Sequence, residues 1–301
     1  YYIQDETMSI TSMIDRAKLA KEYITDEYLK PYTVFKNNMQ DIYVDEMEIC
    51  SEFEDGIAKQ EFQVFYQPVV DAKTGKIASA EALVRWFHET KGFISPGQFI
   101  PALEKGGYIS ELDRYMVREV IECLEQRRKE SRPAVPVSVN LSWMDFYDEN
   151  MLEWIVSGLQ CGGKEEEKMI RFEITETSLA AIGENHTWIL MRLRENGAKI
   201  LLDDFGSGYS SFGMLQDYDF DILKIDISFV RNIGVNKKTE SILRAIIDMA
   251  HQLGIRLVAE GAETEEQVAF LRENGCDYIQ GYYYYKPMPQ AEFLQLLEEG
   301  K

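Results

Sequence analysis

Two adjacent carboxylates, Asp203 and Asp204, close a short apolar run and are followed at once by Gly206-Ser207-Gly208. The run, Lys199 to Leu202, lacks alternation and stops abruptly at charge and glycine, which reads as a buried parallel strand. Neighbouring buried acids repel each other unless something positive lies between them. A pair of divalent cations where the strand frays answers that cost. The other reading makes one aspartate a helix N-cap and leaves its neighbour in water. Further polar residues stand at or near the ends of separate apolar runs: Glu81, Asn140, Glu173, Lys224, Glu260 and Gln280. Glu81, Glu173, Asp203, Asp204 and Glu260, with the Asn140 amide oxygen, form an oxygen-only donor set that suits Mg2+ or Mn2+ better than Zn2+. Two such ions sharing an aspartate suit in-line attack of water on a phosphodiester. Lys224 is then expected to orient that water or help deprotonate it, and Arg85 to grip a phosphate in bidentate fashion. Each residue also has an ordinary explanation. A lone strand-end glutamate is commonly solvated or a helix cap, and Lys224 can pair with Asp221 or Asp226. The set carries more weight than its members.

These residues converge only if the chain delivers their strands to one place. Eight apolar segments recur, beginning near Phe62, Ile77, Pro136, Met169, Lys199, Asp221, Ile255 and Tyr278, with helical patterns between most of them. Such alternation over about 240 residues predicts an α/β fold of the (β/α)8 TIM-barrel type. In that fold the C-terminal strand ends share one mouth. A doubly wound open sheet is the competing layout, but the phosphate-binding glycine loop expected after its first strand is missing. The turn at Asp71 to Gly75 makes the first two strands a hairpin, so one strand runs antiparallel. Ahead of the barrel, assigned to residues 46–301, residues 1–45 read as a helical extension. It carries a helical rhythm from Met8 that breaks at Asp26-Glu27, and a short β-prone stretch, Tyr32 to Phe35. A second helix is expected from about Asp41 to Lys59.

The net charge of −20 argues against a non-specific binder of DNA or RNA polymers, which would present a basic face. An anionic ligand then needs cations or a local Arg/Lys pair to approach. Four scattered cysteines without a C-x-x-C pair fit a reduced, cytoplasmic setting. No apolar run approaches the roughly 20 residues of a membrane helix, so no membrane contact is expected from this segment. The start at Tyr1 suggests the cytoplasmic piece of something longer whose other parts could be tethered to a membrane. The three histidines, His88, His186 and His251, fall at loop or helix positions and read as structural or surface residues, which also argues against a Ser-His-Asp triad.

Gln67-Pro68, Glu81-Ala-Leu-Val-Arg85, Val139-Asn-Leu-Ser142, Glu173-Ile-Thr-Glu176, Asp203-Asp-Phe-Gly-Ser-Gly208, Leu223-Lys-Ile-Asp226, Val258-Ala-Glu-Gly-Ala-Glu263 and Gln280-Gly-Tyr282 resemble, in order, the motifs of bacterial EAL-type cyclic-di-GMP phosphodiesterases. The resemblance implies hydrolysis of one phosphodiester of cyclic di-GMP to linear pGpG with two Mg2+ or Mn2+ ions. It implies that Glu81, Asn140, Glu173 and Asp203 hold one ion, and Asp203, Asp204 and Glu260 the other. It also implies that Lys224 contacts the attacking water and that Glu260 is a general-base candidate. Gln67, Arg85, Glu263 and Gln280 would line the substrate, Glu176 would brace the loop after Asp204, and a homodimer would form. Ser207 stands where the family usually has threonine, and no ligand position is lost. The alternative is a receptor that binds cyclic di-GMP without cutting it; a barrel hydrolase of another phosphodiester is a third reading. The N-terminal stretch Ile14 to Tyr23, with Tyr32 to Phe35, resembles the tail of a diguanylate cyclase domain without its Gly-Gly-Asp/Glu-Glu-Phe signature.

Overall fold

A computed structural model of the chain describes residues 8–22, 32–161, 169–182, 188–207 and 211–300. Gly208, His186, Thr187, Tyr23 and the Asp26-Glu27 break lie outside the described residues. The strands are β1 Phe62–Asp71, β2 Ile77–His88, β3 Gly92–Ile94, β4 Val137–Asn140, β5 Ile170–Thr175, β6 Lys199–Phe205, β7 Ile222–Ile225, β8 Arg256–Glu260, β9 Tyr278–Gln280 and β10 Met288–Pro289. Eight of them close a barrel in the order β1-β9-β8-β7-β6-β5-β4-β2, with β2 pairing back onto β1. The strand β1 is antiparallel to both barrel neighbours, β2 and β9, and the other barrel pairings are parallel. All eight expected strands are present. The two short strands β3 and β10 were not expected; they pair at the upper parts of β2 and β1.

Alternation along each strand sorts side chains between two apolar environments. Phe172, Ile200, Leu202, Leu223, Leu257 and Ile279 face outward and join the main core beneath the helices. Val69, Leu201, Ile222 and Val258 face inward and form a separate cluster, capped by Tyr278, that plugs the barrel. Two residues along from each of these, toward the mouth, the sequence switches from apolar to polar. A plug below and open space above therefore define where the polar residues can be solvated or hold a ligand.

The helix Asn37–Ala58 begins four residues earlier than the pattern suggested and runs unbroken across residue 46. Its buried Phe53 meets Phe62 edge-on, and Phe62 stacks on Trp86 of β2. Lys91 reaches back to Glu48 and Glu52, and Lys105 to Glu46. The β-prone stretch Tyr32 to Phe35 forms no strand: it has no ladder partner among the described residues, and Phe35 instead packs with Ala20 and Met39. A β-prone tetrapeptide without a neighbouring edge gains nothing from extension. His88 is the last residue of β2 rather than a loop residue, and its Nε2 lies 3.3 Å from Glu52. His251 sits on a helix and faces Asp277. No described helix is long and apolar enough to cross a membrane.

The mouth is held tight where β8 and β9 end. A Cβ on Gly281 would lie 2.1 Å from the Ala262 carbonyl oxygen, a backbone atom that cannot swing away. Gly281→Ala should therefore cost about 2 kcal/mol or more of stability, as overpacking against fixed atoms does. Chemical denaturation checks this, and a midpoint within error of the parent would show that the two loops are not locked.

Candidate active site

Each of the eight barrel strands sends one polar side chain into the same layer: Gln67, Glu81, Asn140, Glu173, Asp203, Lys224, Glu260 and Gln280. Gln67 is the register partner of Glu81, Asn140 of Glu173, and Glu260 of Gln280. Lys224 is the centre of this layer. Its side chain is only 2% exposed; its Nζ donates to Glu173 and, at 3.4 Å, to Glu81, and forms ion pairs with Glu260 at 2.6 Å and Asp203 at 3.2 Å. Pairing with Asp221 or Asp226 is thereby ruled out. Asp226 instead caps the helix Ile227–Arg231 through the Ser228 N–H, and Asp221 accepts from the Ile200 N–H.

The amides complete the ring. Gln280 Nε2 donates to Glu81 Oε2 at 2.7 Å and to Gln67 Oε1 at 3.1 Å, while Asn140 Nδ2 donates to Glu81 Oε1 at 3.1 Å. Gln67 in turn donates to the Tyr285 carbonyl. Both oxygens of Glu81 are thus oriented before any ligand arrives.

Successive side chains on a strand should point to opposite faces, so Asp203 and Asp204 cannot share a site in a regular β6. The pairing with β7 slips between Leu202 and Phe205, and Asp204 adopts a left-handed φ of 56°. Aspartate tolerates that region better than most side chains. The consequence is that one carboxylate oxygen from each of Asp203, Asp204 and Glu260 lies within 4.8 Å of the others. Gly206 continues the turn at φ 92°, with its N–H donating to Glu176 Oε2 at 3.2 Å. Glu176 therefore ties the first turn after β5 to the loop after β6.

Crowded charge sets the protonation pattern. Burial alone would pull the Lys224 ammonium below its usual range, but Asp203, Glu173, Glu260 and Glu81 outweigh it and hold it well above. Burial pushes Glu173 well up, helped by the charge of Glu81, and raises Asp204, helped by Asp203. Burial, against the pull of Lys224, lifts Glu260 to about 8. Glu81 is held below its usual value: Lys224 and the two donating amides overcome its burial.

A cavity of about 270 Å³ opens over this layer, lined by Gln67, Glu81, Asp203, Lys224, Glu260 and Gln280 together with Leu83, Arg231, Glu263 and Tyr282. Glu263 sits on its exposed rim, 4.0 Å from Arg231. The backbone N–H groups of Glu263 and Thr264 donate to Gln267 in the cap of the next helix, which fixes this rim. Arg85 is placed differently from the rest. It is half-buried, donates to its neighbour's carbonyl on Val84 and lies over the Phe65 ring. It lines a second cavity of about 230 Å³ that shares Leu83 with the first. Arg231 was not singled out from sequence, and Tyr282 stood at the end of a quoted motif with no role assigned. Nothing in the order of residues reveals that a five-residue helix after β7 leans over the mouth.

The donors fit hard cations. Among the described residues lining the cavity there is no imidazole or thiolate, and a buried ammonium already rests among four carboxylates.

The chain is similar to several known proteins. It is 33% identical over 252 residues to the cyclic di-GMP phosphodiesterase NbdA of Pseudomonas aeruginosa, covering 84% of this chain and 32% of that one. It is 36% identical over 249 residues to the probable cyclic di-GMP phosphodiesterase PdeB of Escherichia coli, covering 82% and 46%. The chain thus spans between about a third and a half of the length of these relatives. The structure of the PaMucR phosphodiesterase in complex with c-di-GMP superposes with a TM-score of 0.75 at 30% identity, over 82% of this chain and 99% of that one. The EAL domain profile matches residues 51–287, and with the barrel and its ring of strand-end polar residues, the chain belongs to the EAL domain family.

Proposed function

We propose that this chain hydrolyses one phosphodiester bond of cyclic di-GMP to linear pGpG, using two Mg2+ or Mn2+ ions held at the barrel mouth. The observation that carries the reading is the buried carboxylate layer around Lys224, joined by Asp204. So much negative charge in one place calls for cations, and its donors are all oxygens. The names of the relatives supply the substrate.

In this reading Glu81, Asn140, Glu173 and Asp203 hold one ion, and Asp203, Asp204 and Glu260 hold the other. Asn140 would then present its amide oxygen rather than the nitrogen it gives to Glu81. When bound, the ions supply an activated water and neutralise charge on the leaving oxygen. The protein's own groups do the rest. Gln67 and Gln280 fix the orientation of Glu81. Lys224, held as an ammonium, acts as a charged donor that positions the water, not as its base. Glu260, ionised once a cation faces it, accepts the water's proton. Glu263 would meet the substrate from the cavity rim, Arg85 would do so only after its guanidinium leaves the Val84 carbonyl and the Phe65 ring, and Glu176 braces the Gly206 turn. A homodimer and a cytoplasmic setting accompany the reading, and the N-terminal extension is taken as the tail of a cyclase-like domain.

Incubation with cyclic di-GMP and Mn2+, followed by chromatography, should yield pGpG. Binding without turnover would instead favour a receptor. Glu81→Ala and Asp203→Ala should each lower kcat/KM at least about 100-fold, since loss even of groups that support a ligand costs about 10–100-fold. Unimpaired turnover by either variant would contradict the ligand assignment. Because Glu260, and with it Glu173 and Asp204, must lose protons to face a cation, affinity for Mn2+ should rise by at least about tenfold per pH unit below about pH 8. Calorimetry across pH 6 to 9 reads this, and a flat profile would remove Glu260 from the site. Glu176→Ala should lower kcat severalfold while leaving the fold intact, measured by turnover beside circular dichroism.

A further inference from the structure

One backbone N–H, that of Ser142, donates to two carboxyl groups at once: Asp113 Oδ2 at 3.1 Å and Asp145 Oδ2 at 3.0 Å. Ser142 begins the 3-10 helix Trp143–Tyr147, and Asp145 reaches back to it as the third residue of a capping box. Asp113 comes from a different element, the helix Ile109–Lys129. Both acids are shielded from water, Asp113 at 8% exposure and Asp145 at 0%. No lysine or arginine is paired with either among the described residues. One shared N–H, with the Ser110 hydroxyl serving Asp145 alone, brings no positive charge and cannot compensate two buried negative charges. Moreover, Asp145 Oδ1 is buried and meets no donor among the described residues as long as both groups are written as carboxylates. One proton on Asp113, shared with the adjacent Asp145 carboxylate, gives the pair a further donor and removes the repulsion.

We propose that Asp113 and Asp145 share one proton and, as a neutralised pair, position the end of β4 so that Asn140 faces the metal site. The proposal rests on the metal-binding reading given above. Asn140 lies two residues before the Ser142 N–H that the pair grips, and the Leu141 N–H between them donates to Glu173 O, so the segment is pinned at both ends. The second cavity, about 230 Å³ and lined by Asp113, Ser142, Asn140 and Glu104, abuts the pair. It gives an ionised Asp113 room to turn away from Asp145, which would free the β4 end.

The charge environment agrees. Burial, then the charge of Asp145, drives the Asp113 carboxyl well above its usual range, and Glu104 across the cavity adds to this. Burial also raises Asp145, against the pull of Asp113 and Ser110 and with a push from Asp148. Asp148 is itself engaged by Arg114 at 3.2 Å. Glu104, half-buried and raised by burial, adds no compensating positive charge. A group whose folded pKa is raised contributes stability that is complete below its unfolded value, about 4 for aspartate, and is lost as pH rises through the folded value.

Asp113→Asn is the isostere of the protonated acid: its oxygen accepts from Ser142 and its amide donates to Asp145. Two readouts test the pair without requiring turnover. In ion-free protein, the thermal midpoint of the parent should fall relative to Asp113→Asn as pH rises from 5 to 9; the active-site carboxylates are common to both and cancel. In calorimetry, Mn2+ affinities of the two should agree within about twofold at pH 6.5 and diverge at least fivefold in favour of Asp113→Asn at pH 9. Asp145→Asn, which keeps a neutral donor in the pair, should likewise flatten the midpoint profile, and it serves if Asp113→Asn does not fold. Parallel midpoint profiles for parent and variants would show that no proton is shared. A flattened midpoint with an unchanged affinity ratio would overturn the positioning role. Absence of Mn2+ binding in every protein would overturn it too, and the metal reading with it, whereas Mn2+ binding without pGpG formation would fault only the substrate.

Discussion

The structure depends on how negative charge is kept in a dry place. Glu81, Glu173, Asp203 and Glu260 project into one layer of a closed barrel above an apolar plug, with Asp204 at its edge. Removing a single carboxylate from water without a partner costs several kcal/mol. Four in contact could not all remain ionised unaided. Lys224 supplies one positive charge at the centre, and that is too little. Protons are favoured on the remainder, because burial raises Glu173 and Glu260. The same shortfall is what a pair of divalent cations would fill, displacing those protons. In the proposed reading, an acidic chain thereby becomes able to face an anionic substrate.

The barrel makes that concentration possible because its closure gives every strand an inward-facing position at the same height. Its cost is geometric: a regular strand can offer only one of two consecutive residues to the interior. The slipped register and left-handed Asp204 at the end of β6 bring a second carboxylate inward, a local backbone strain that the Glu176 to Gly206 contact helps to hold. The antiparallel β1 plays a different part. Running against its neighbours, it carries the incoming helix to the mouth end, where the Phe53, Phe62 and Trp86 rings join the extension to the strand that bears Glu81 and Arg85.

Most of this was legible in the letters because a barrel strand buried on both faces leaves a plain signature: an apolar run cut off by a polar residue. That signature placed all eight strands and seven of the eight inward polar residues; the eighth, Gln67, came only with the family resemblance. Where the sequence misled, the deciding partner was distant. Tyr32 to Phe35 has β propensity but no edge to pair with. His88 belongs to β2 because β3, too short to show a pattern, pairs beside it. Lys224 had two plausible acidic partners nearby in sequence, and its true ones arrive from four other strands. Arg85 sits where its motif puts it along β2, yet its guanidinium turns toward Phe65 and a neighbouring cavity. The shared N–H between Asp113 and Asp145 joins residues 32 positions apart and has no local signal at all.

Anomalous scattering from crystals grown with Mn2+ examines the central idea most directly. Two peaks flanking Asp203 are expected, one within reach of Glu81, Asn140 and Glu173 and the other within reach of Asp204 and Glu260, with the Lys224 ammonium moved aside. A mouth that stays free of anomalous density at saturating Mn2+, with Lys224 still seated among the four carboxylates, would contradict it.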